Sequence, residues 1–240
     1  MALKLSTGLR QSQLGVAVAL DSTGITLTIT TTHTISITAG TDNILTKGFR
    51  PGDVALLSGM PTGANNDHVT ITSIATDGQS CVVSETLTNE AGGGDDCMTL
   101  VNGKGAKQAL RYGILDIYEG TQPADADTAE NGTLLVSLTD ASGAFTAGTS
   151  TNGLEFDEPA AGVFGIKAGQ TWSGEAVADG TAGYGRYYDN EYLTGASTTA
   201  RRFDGGVGVS GRLFTLSNLE IVAGQTVTCD ALDLTHEEEA

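Results

Sequence analysis

Two neighbouring stretches, Gly24-Ile25-Thr26-Leu27-Thr28-Ile29-Thr30 and His33-Thr34-Ile35-Ser36-Ile37-Thr38, decide the fold class. In both, isoleucine or leucine alternates strictly with threonine or serine. A period of two places the two sets of side chains on opposite sides of an extended chain, which is the pattern of a half-buried strand and not of a helix. The same alternation returns in His68-Val69-Thr70-Ile71-Thr72-Ser73-Ile74. Shorter apolar runs follow at Val54-Ala55-Leu56-Leu57, Cys81-Val82-Val83 and Met98-Thr99-Leu100-Val101. Between them lie turn-forming residues: Gly48 to Asp53, Asn65-Asn66-Asp67, Asp77-Gly78 and the loop Ala91 to Asp96. Five or six short strands in roughly 80 residues predict a small antiparallel barrel or sandwich.

The rest of the chain carries the same texture. Ile114-Leu115-Asp116-Ile117-Tyr118, Thr133 to Thr139, Leu213 to Leu216 and Gln225 to Cys229 read as strands, and Gly183 to Tyr188 alternates its aromatics. Thr121 to Gly132, with Gln122-Pro123 and several acids, reads as a surface loop. Gly205 to Gly211 is glycine-dense, and residues 140–172 are rich in Gly, Ala and Thr. Helical signals are short: one near Leu5 and Leu9, capped by Ser6 or Thr7, and one over Lys104 to Tyr112, stopped by Gly113. His236 to Ala240 reads as a solvated tail. The expected class is all-β, with two packed β units and short helices near the N-terminus and around 105–112.

Composition narrows the function. Of 240 residues, 12 are Lys or Arg and 29 are Asp or Glu, for a formal net charge of −17. Sequence-independent nucleic-acid binding needs cations to neutralise phosphates, so no nucleic-acid partner is expected. No run reaches the ~18 apolar residues of a membrane helix, so no membrane partner is expected either. The opening Met1 to Gly8 lacks the charged-then-apolar order of a signal peptide. Cys81, Cys97 and Cys229 are odd in number and far apart, which fits synthesis in a reducing cytosol better than a disulfide framework.

Each group of residues with chemical potential also has an ordinary structural reading. Asp125, Asp127 and Glu130 could offer oxygen ligands to Ca²⁺, but they lack a regular ligand loop, and a solvated turn is the simpler reading. Glu155, Asp157 and Glu158 could supply paired carboxylates for glycoside hydrolysis, although alternation sets Glu155 and Asp157 on the ordinary outer face of a strand. Asp95-Asp96-Cys97 lacks a second thiol or nearby His for zinc. Gly103-Lys104-Gly105 lacks the framing residues of a phosphate loop. No HExxH or GxSxG motif occurs, and His33 and His68 lie in strand-and-turn patterns. The expectation is therefore no enzyme, no cofactor and no metal. Among the aromatics, Trp172 and Tyr184 are assigned to the core, while Tyr188 and Tyr192 remain open between core and partner contact. Arg201-Arg202 is the one adjacent basic pair, equally suited to an acidic partner surface or to a solvated loop.

Part of the chain resembles a family of small virion-associated proteins of tailed bacteriophages and prophages. The residues that carry the resemblance are Met1-Ala2-Leu3-Lys4-Leu5-Ser6-Thr7-Gly8-Leu9-Arg10 and Ile117-Tyr118-Glu119-Gly120-Thr121-Gln122-Pro123-Ala124-Asp125-Ala126-Asp127. They continue through Gly132 to Val136, Thr151 to Leu154, Thr171-Trp172, Asp179 to Tyr184 and Asp204-Gly205. In the family pattern the N-terminal segment runs almost directly into the helix before Ile114, whereas here residues 16–104 intervene. The family's usual aromatic-Phe-Arg after Ala-Gly becomes Tyr184-Gly185-Arg186. The intervening segment itself is similar to small β modules of phage tail and capsid proteins, through Gly48-Phe49, Gly52-Asp53-Val54, Ser58-Gly59, Asn65-Asn66 and Val69-Thr70-Ile71.

The resemblance implies an antiparallel β-sandwich or jelly-roll-like main domain over 1–15 and 105–240, with a small β-barrel or sandwich inserted at 16–104. It also implies a virion structural protein, made in the bacterial host cytoplasm. The most specific form is a capsid decoration or cement protein that binds the major capsid protein or other virion proteins, as a homo-oligomer or in many copies per particle. A tail, baseplate or fibre-adaptor component is one alternative, and a carbohydrate-binding module or glycan depolymerase is another. The expected contact residues are an N-terminal latch (Leu3, Leu5, Leu9, Arg10 and Leu14) together with Arg201, Arg202, Tyr188 and Tyr192.

Overall fold

The computed structural model of the chain describes residues 3–13, 18–94, 96–101, 105–157, 163–232 and 234–235. Leu14, Asp95, Gly103, Lys104, Glu158 and the tail His236 to Ala240 lie outside the described residues. In chain order the first elements are β1 (Lys4–Leu5), α1 (Thr7–Gln13), β2 (Ala19–Leu20), β3 (Thr26–Thr31), β4 (Thr34–Ala39), α2 (Ile44–Lys47), β5 (Val54–Ser58), β6 (His68–Ile74), β7 (Ser80–Val83) and β8 (Cys97–Leu100). They are followed by α3 (Ala106–Leu110), β9 (Ile114–Glu119), β10 (Leu134–Asp140), β11 (Val163–Phe164), β12 (Trp172–Glu175), β13 (Gly180–Tyr188) and β14 (Arg202–Gly208). The last four are β15 (Phe214–Leu216), β16 (Glu220–Ile221), β17 (Thr226–Leu232) and β18 (Leu234–Thr235). The class is all-β, as the alternation predicts.

The chain divides into two compact units, one formed by residues 1–12, 106–145 and 151–240 and the other by residues 13–105 and 146–150. The short piece 146–150 adds to the expected 16–104 segment: the Ile74 amide donates to the Gly148 carbonyl at 2.5 Å.

In the 13–105 unit the strands form one sheet, ordered β2-β8-β5-β6-β7-β4-β3. The alternating residues behave as their period demands. Leu27, Ile29, Ile35, Val69 and Ile71 enter a core with Phe49, Leu57, Val83 and Met98, and the threonines face outward. The free edge of β3 is covered by its own chain. Leu27 N–H donates to the Asp96 carboxylate at 2.8 Å, and Ile29 exchanges backbone bonds with Glu90. An edge blocked in this way cannot recruit another strand. The turn-rich entry to β5 contains a single helical turn, α2, capped by the Asn43 side chain and ended by Gly48 at φ 105.

In the larger unit the strands follow the order β1-β14-β15-β17-β12-β10-β9-β13-β16, and β13 also pairs with β14. That extra ladder closes a ring of seven strands, β14, β15, β17, β12, β10, β9 and β13. Its neighbours are antiparallel except for the parallel β14–β15 pair. The inner row Leu115–Tyr187–Phe203 crosses three strands, and Tyr187 stacks on Phe203 with ring centres 5.2 Å apart. Trp172, Phe156 and Phe214 complete this core. The next inner row is Ile117–Gly185–Gly205, and here glycine is a packing requirement. A Cβ at Gly185 would stand 2.7 Å from the Phe214 ring, and one at Gly205 would stand 2.0 Å from Leu213. Gly205 to Gly208, the first part of the glycine-dense segment Gly205 to Gly211, thus lies in a fully buried strand.

Candidate functional site

The central strands of the barrel are buried on both faces, and the outer face is polar. Strands β9, β13 and β14 point Leu115, Ile117, Tyr187 and Phe203 inward, so their alternate residues point outward. Register then sets three outer rows: Tyr118–Tyr184–Gly206, Asp116–Arg186–Asp204 and Ile114–Tyr188–Arg202. Ser137 of β10 extends the middle row on one side and Lys4 of β1 on the other. Asp116, Arg186, Arg202 and Asp204 are all 0 % exposed. Two loops cover them, 120–133 and 189–201.

Charge pairing organises this layer. Arg186 grips Asp204 with two nitrogens, Nε to Oδ1 at 2.6 Å and Nη2 to Oδ2 at 2.7 Å, a bidentate geometry that suits a guanidinium. Its Nη1 reaches the Thr128 carbonyl at 2.8 Å and Glu130 at 3.2 Å. Arg202 donates to the carbonyls of Ala126 at 2.6 Å, Leu193 at 3.0 Å and Asp127 at 3.2 Å, so it fastens both loops to the strand. Glu130 accepts from Tyr188 Oη at 2.6 Å and from the Gly195 amide at 2.9 Å. Tyr118 stacks on Tyr184, and the Tyr184 hydroxyl bonds the backbone of Asn131.

The titration behaviour follows from these partners. Burial pushes the Asp116 carboxyl up to about 6, in spite of the hydroxyls of Ser137, Tyr192 and Tyr118 around it, and the Glu130 charge adds to the rise. Burial also raises Glu130, but the bonds from Tyr188 and Gly195 and the charge of Arg186 outweigh it and hold this carboxyl below its usual range. Burial raises Asp204 against the opposing pull of Arg186. The tyrosines 118, 188 and 192 are all raised, chiefly by burial, and stay protonated donors at neutral pH.

The expected site residues are placed as follows. Leu9 is 1 % exposed in the barrel core, Tyr188 is 1 % exposed and Arg202 is 0 % exposed, so none of the three presents a surface to a partner. The reason is local pairing. β1 is hydrogen-bonded to β14, and Ser6 caps α1 through Leu9 N–H while donating to the Ala200 carbonyl at 2.7 Å. Thr7 is held by Asp127 through both its amide and its hydroxyl. The N-terminal segment through Leu9 is therefore a built-in part of its own unit and not a free latch. Leu5 is half-buried in that ladder, while Leu3 and Arg10 are exposed. Arg201 is buried 4.0 Å from Asp189, which overturns both the partner anchor and the solvated loop. Tyr192 is half-buried and donates to Asp116 at 3.0 Å. The stretch from Thr121 is also more than a surface loop, since Gln122, Pro123 and Ala126 are buried.

The alternative chemistries fare similarly. Asp125 closes a local turn with Thr128, Asp127 holds Thr7 and Glu130 faces the arginines, so the three acids do not converge on a cation. No group of three or more His, Cys, Asp or Glu side chains among the described residues is placed to hold a metal. Glu155 pairs with Lys167 beside a 190 Å³ groove lined by Lys107, Gln108, Arg111, Tyr112 and Phe156. Sequence reasoning missed Asp116, Arg186 and Asp204. The available signal was a charge in the middle of the apolar run Ile114-Leu115-Asp116-Ile117. No family model, no curated protein and no solved structure matches the chain.

Proposed function

We propose that this chain is an accessory structural protein of a tailed-phage particle, in its most specific form a capsid decoration or cement protein. One observation carries the reading. Four of the segments that resemble the virion-associated family, the N-terminal one, 117–127, 179–184 and Asp204, are scattered over some two hundred residues and meet in one layer, while Leu154 and Trp172 of two others enter the core. Lys4 pairs with Asp204 and donates to the Pro123 carbonyl at 2.6 Å, Thr7 binds Asp127, and Gly183 is so close to Gly120 that a Cβ would stand 2.0 Å from its carbonyl oxygen. A resemblance made of pieces that pack on one another supports a shared architecture better than pieces lying apart. The densest group of ionisable side chains is spent on internal bonds, which suits a scaffold that acts by contact.

Such a protein works by mass action. Binding the assembled lattice and not the free subunits shifts the equilibrium toward the lattice, and many copies multiply a modest interface. With Leu9, Tyr188 and Arg202 buried, the docking surface draws on outward residues of the units. The test is to purify particles of the phage that encodes the chain and to determine its copy number and position by mass spectrometry and imaging. Many copies on the head are expected. A few copies at the tail would favour the tail or baseplate reading, and absence from mature particles would sink the proposal. Particles lacking the chain should release genome at lower temperature.

A further inference from the structure

The middle row of the outer face contains a conflict that its own geometry does not resolve. Arg186 lies directly between two carboxylates, Asp116 on β9 and Asp204 on β14. Its guanidinium turns wholly to Asp204, Glu130 and the Thr128 carbonyl. Arg202 spends its donors on backbone carbonyls of the two covering loops. Asp116 is left fully buried with no cation in ion-pair range among the described residues. Lys4, at the far end of the row, is three strands away, about 14 Å at normal strand spacing.

The groups that face Asp116 can be counted. From its own strand comes Tyr118, from β10 Ser137, and from β13 Arg186, Tyr184 and Tyr188. Strand β14 adds Asp204 and Arg202, the 120–133 loop adds Glu130, and the 189–201 loop adds Tyr192. Three carboxylates thus share the two guanidiniums near Asp116, and the third cation of the row, Lys4, acts on Asp204 at its far end, so Asp116 is the carboxyl left without a counter-charge unless a proton is bound. The hydrogen bonds show which carboxyl can take it. Asp116 Oδ2 accepts from Tyr118 at 3.2 Å and Tyr192 at 3.0 Å, whereas Oδ1 is left without a hydrogen bond. A proton on Oδ1 leaves both tyrosine bonds intact.

We propose that Asp116 is a proton-operated latch for the 189–201 loop: protonated, it lets the loop clamp onto the barrel, and ionised, it favours opening of the loop to water. Tyr192 is the loop's contact with Asp116; its hydrogen bond by itself favours the ionised carboxyl, and burial outweighs it, while the same loop is tied down through the amides of Gly195 on Glu130 and Ser197 on the Asp127 carbonyl. The sign follows from linkage. The closed state holds a proton up to about pH 6, while a carboxyl reached by water ionises near 3.8. Opening therefore releases a proton between those values and becomes easier as pH rises, by at most about tenfold per pH unit, levelling off above pH 6. Glu130, whose carboxyl is held low, acts in the opposite sense only in more acidic solution.

The test is amide hydrogen exchange of the full chain by NMR between pH 4.8 and 7.2, with protection factors read at Tyr192, Gly195 and Ser197. They are expected to fall about tenfold per unit up to pH 6 and then to flatten. Asp116→Asn, a neutral isostere, is expected to remove that slope and to keep the loop protected at pH 7. Protection that does not change with pH in the natural chain, or a slope that survives in Asp116→Asn, overturns the latch. A carbon-13 titration of the Asp116 carboxyl in the natural chain provides a check that needs no variant: a midpoint near 6 supports the proposal, and one below 5 overturns it.

Discussion

The two units use the same strands to opposite ends. In the 13–105 unit, burial runs in alternation along β3 and β6, with apolar side chains inside and threonine outside. In the larger unit, all seven residues of β14 are buried, as are the first five of β9. A strand with water on one side needs only one apolar face. A strand covered on both sides must put something on the second face, and here that second face is built from paired charges and tyrosines. The first arrangement is held mainly by burial of apolar area, which is non-directional. The second depends on a register of partners, and removal of one partner leaves its opposite uncompensated.

Substitutions can break this contrast where it is sharpest. Arg186→Met keeps the volume and removes the charge, so that Asp204 is buried without its bidentate partner. A loss of about 3–5 kcal/mol is expected from denaturant unfolding of the variant, and a loss below ~1 kcal/mol would show that the charged layer is not what holds the outer face. Gly185→Ala tests the inner face of the same strand. The added methyl meets the Phe214 ring at 2.7 Å, and overpacking of this kind costs about 1–3 kcal/mol, measurable as a lowered Tm. The smallest effect belongs to the other unit. Lys47 pairs with Asp42 at 3.1 Å while its own side chain is 36 % exposed. Asp42 is buried but also accepts from the amides of Asp21 and Ser22, so Lys47→Ala leaves it partnered and should change stability by less than ~1 kcal/mol, a change that shrinks further in high salt. Equal losses for Lys47→Ala and Arg186→Met would erase the distinction between the two kinds of polar contact.

The difference between the units also explains what could be read beforehand. Strands β3, β4, β5, β6, β7 and β8 are legible in the residues because each carries a period of two or a short apolar run. The Ser6 cap of α1 is legible because capping chemistry is local, whereas the helix expected to run to Gly113 ends at Leu110, with Tyr112 in the left-handed region at φ 56 and Gly113 bridged to Leu154. Strand β14 is not. Arg202-Phe203-Asp204-Gly205-Gly206-Val207-Gly208 has neither a clean alternation of apolar residues nor high strand propensity, and only the packing of Leu213 on Gly205 and of Arg212 on Gly208 gives a reason for those two glycines. The loop beginning at Thr121 has the composition of solvent-exposed chain, yet its carbonyls are the acceptors that Arg186 and Arg202 need. Arg202 and Tyr188 look like surface contacts for the same reason: a charged or amphipathic residue is exposed by default, and only a specific partner makes its burial affordable.

What the amino-acid order settled alone is the β character of both units, the position of most strands and the local turns and caps, since these depend on the nearest few residues. What only the tertiary structure decided is closure of the seven-stranded ring, the second buried face on β9, β13 and β14, and the isolation of Asp116 from the arginine beside it. Those features join residues as far apart as Lys4 and Asp204. Their energy lies in register and in low-dielectric pairing, neither of which exists until the distant strands have met.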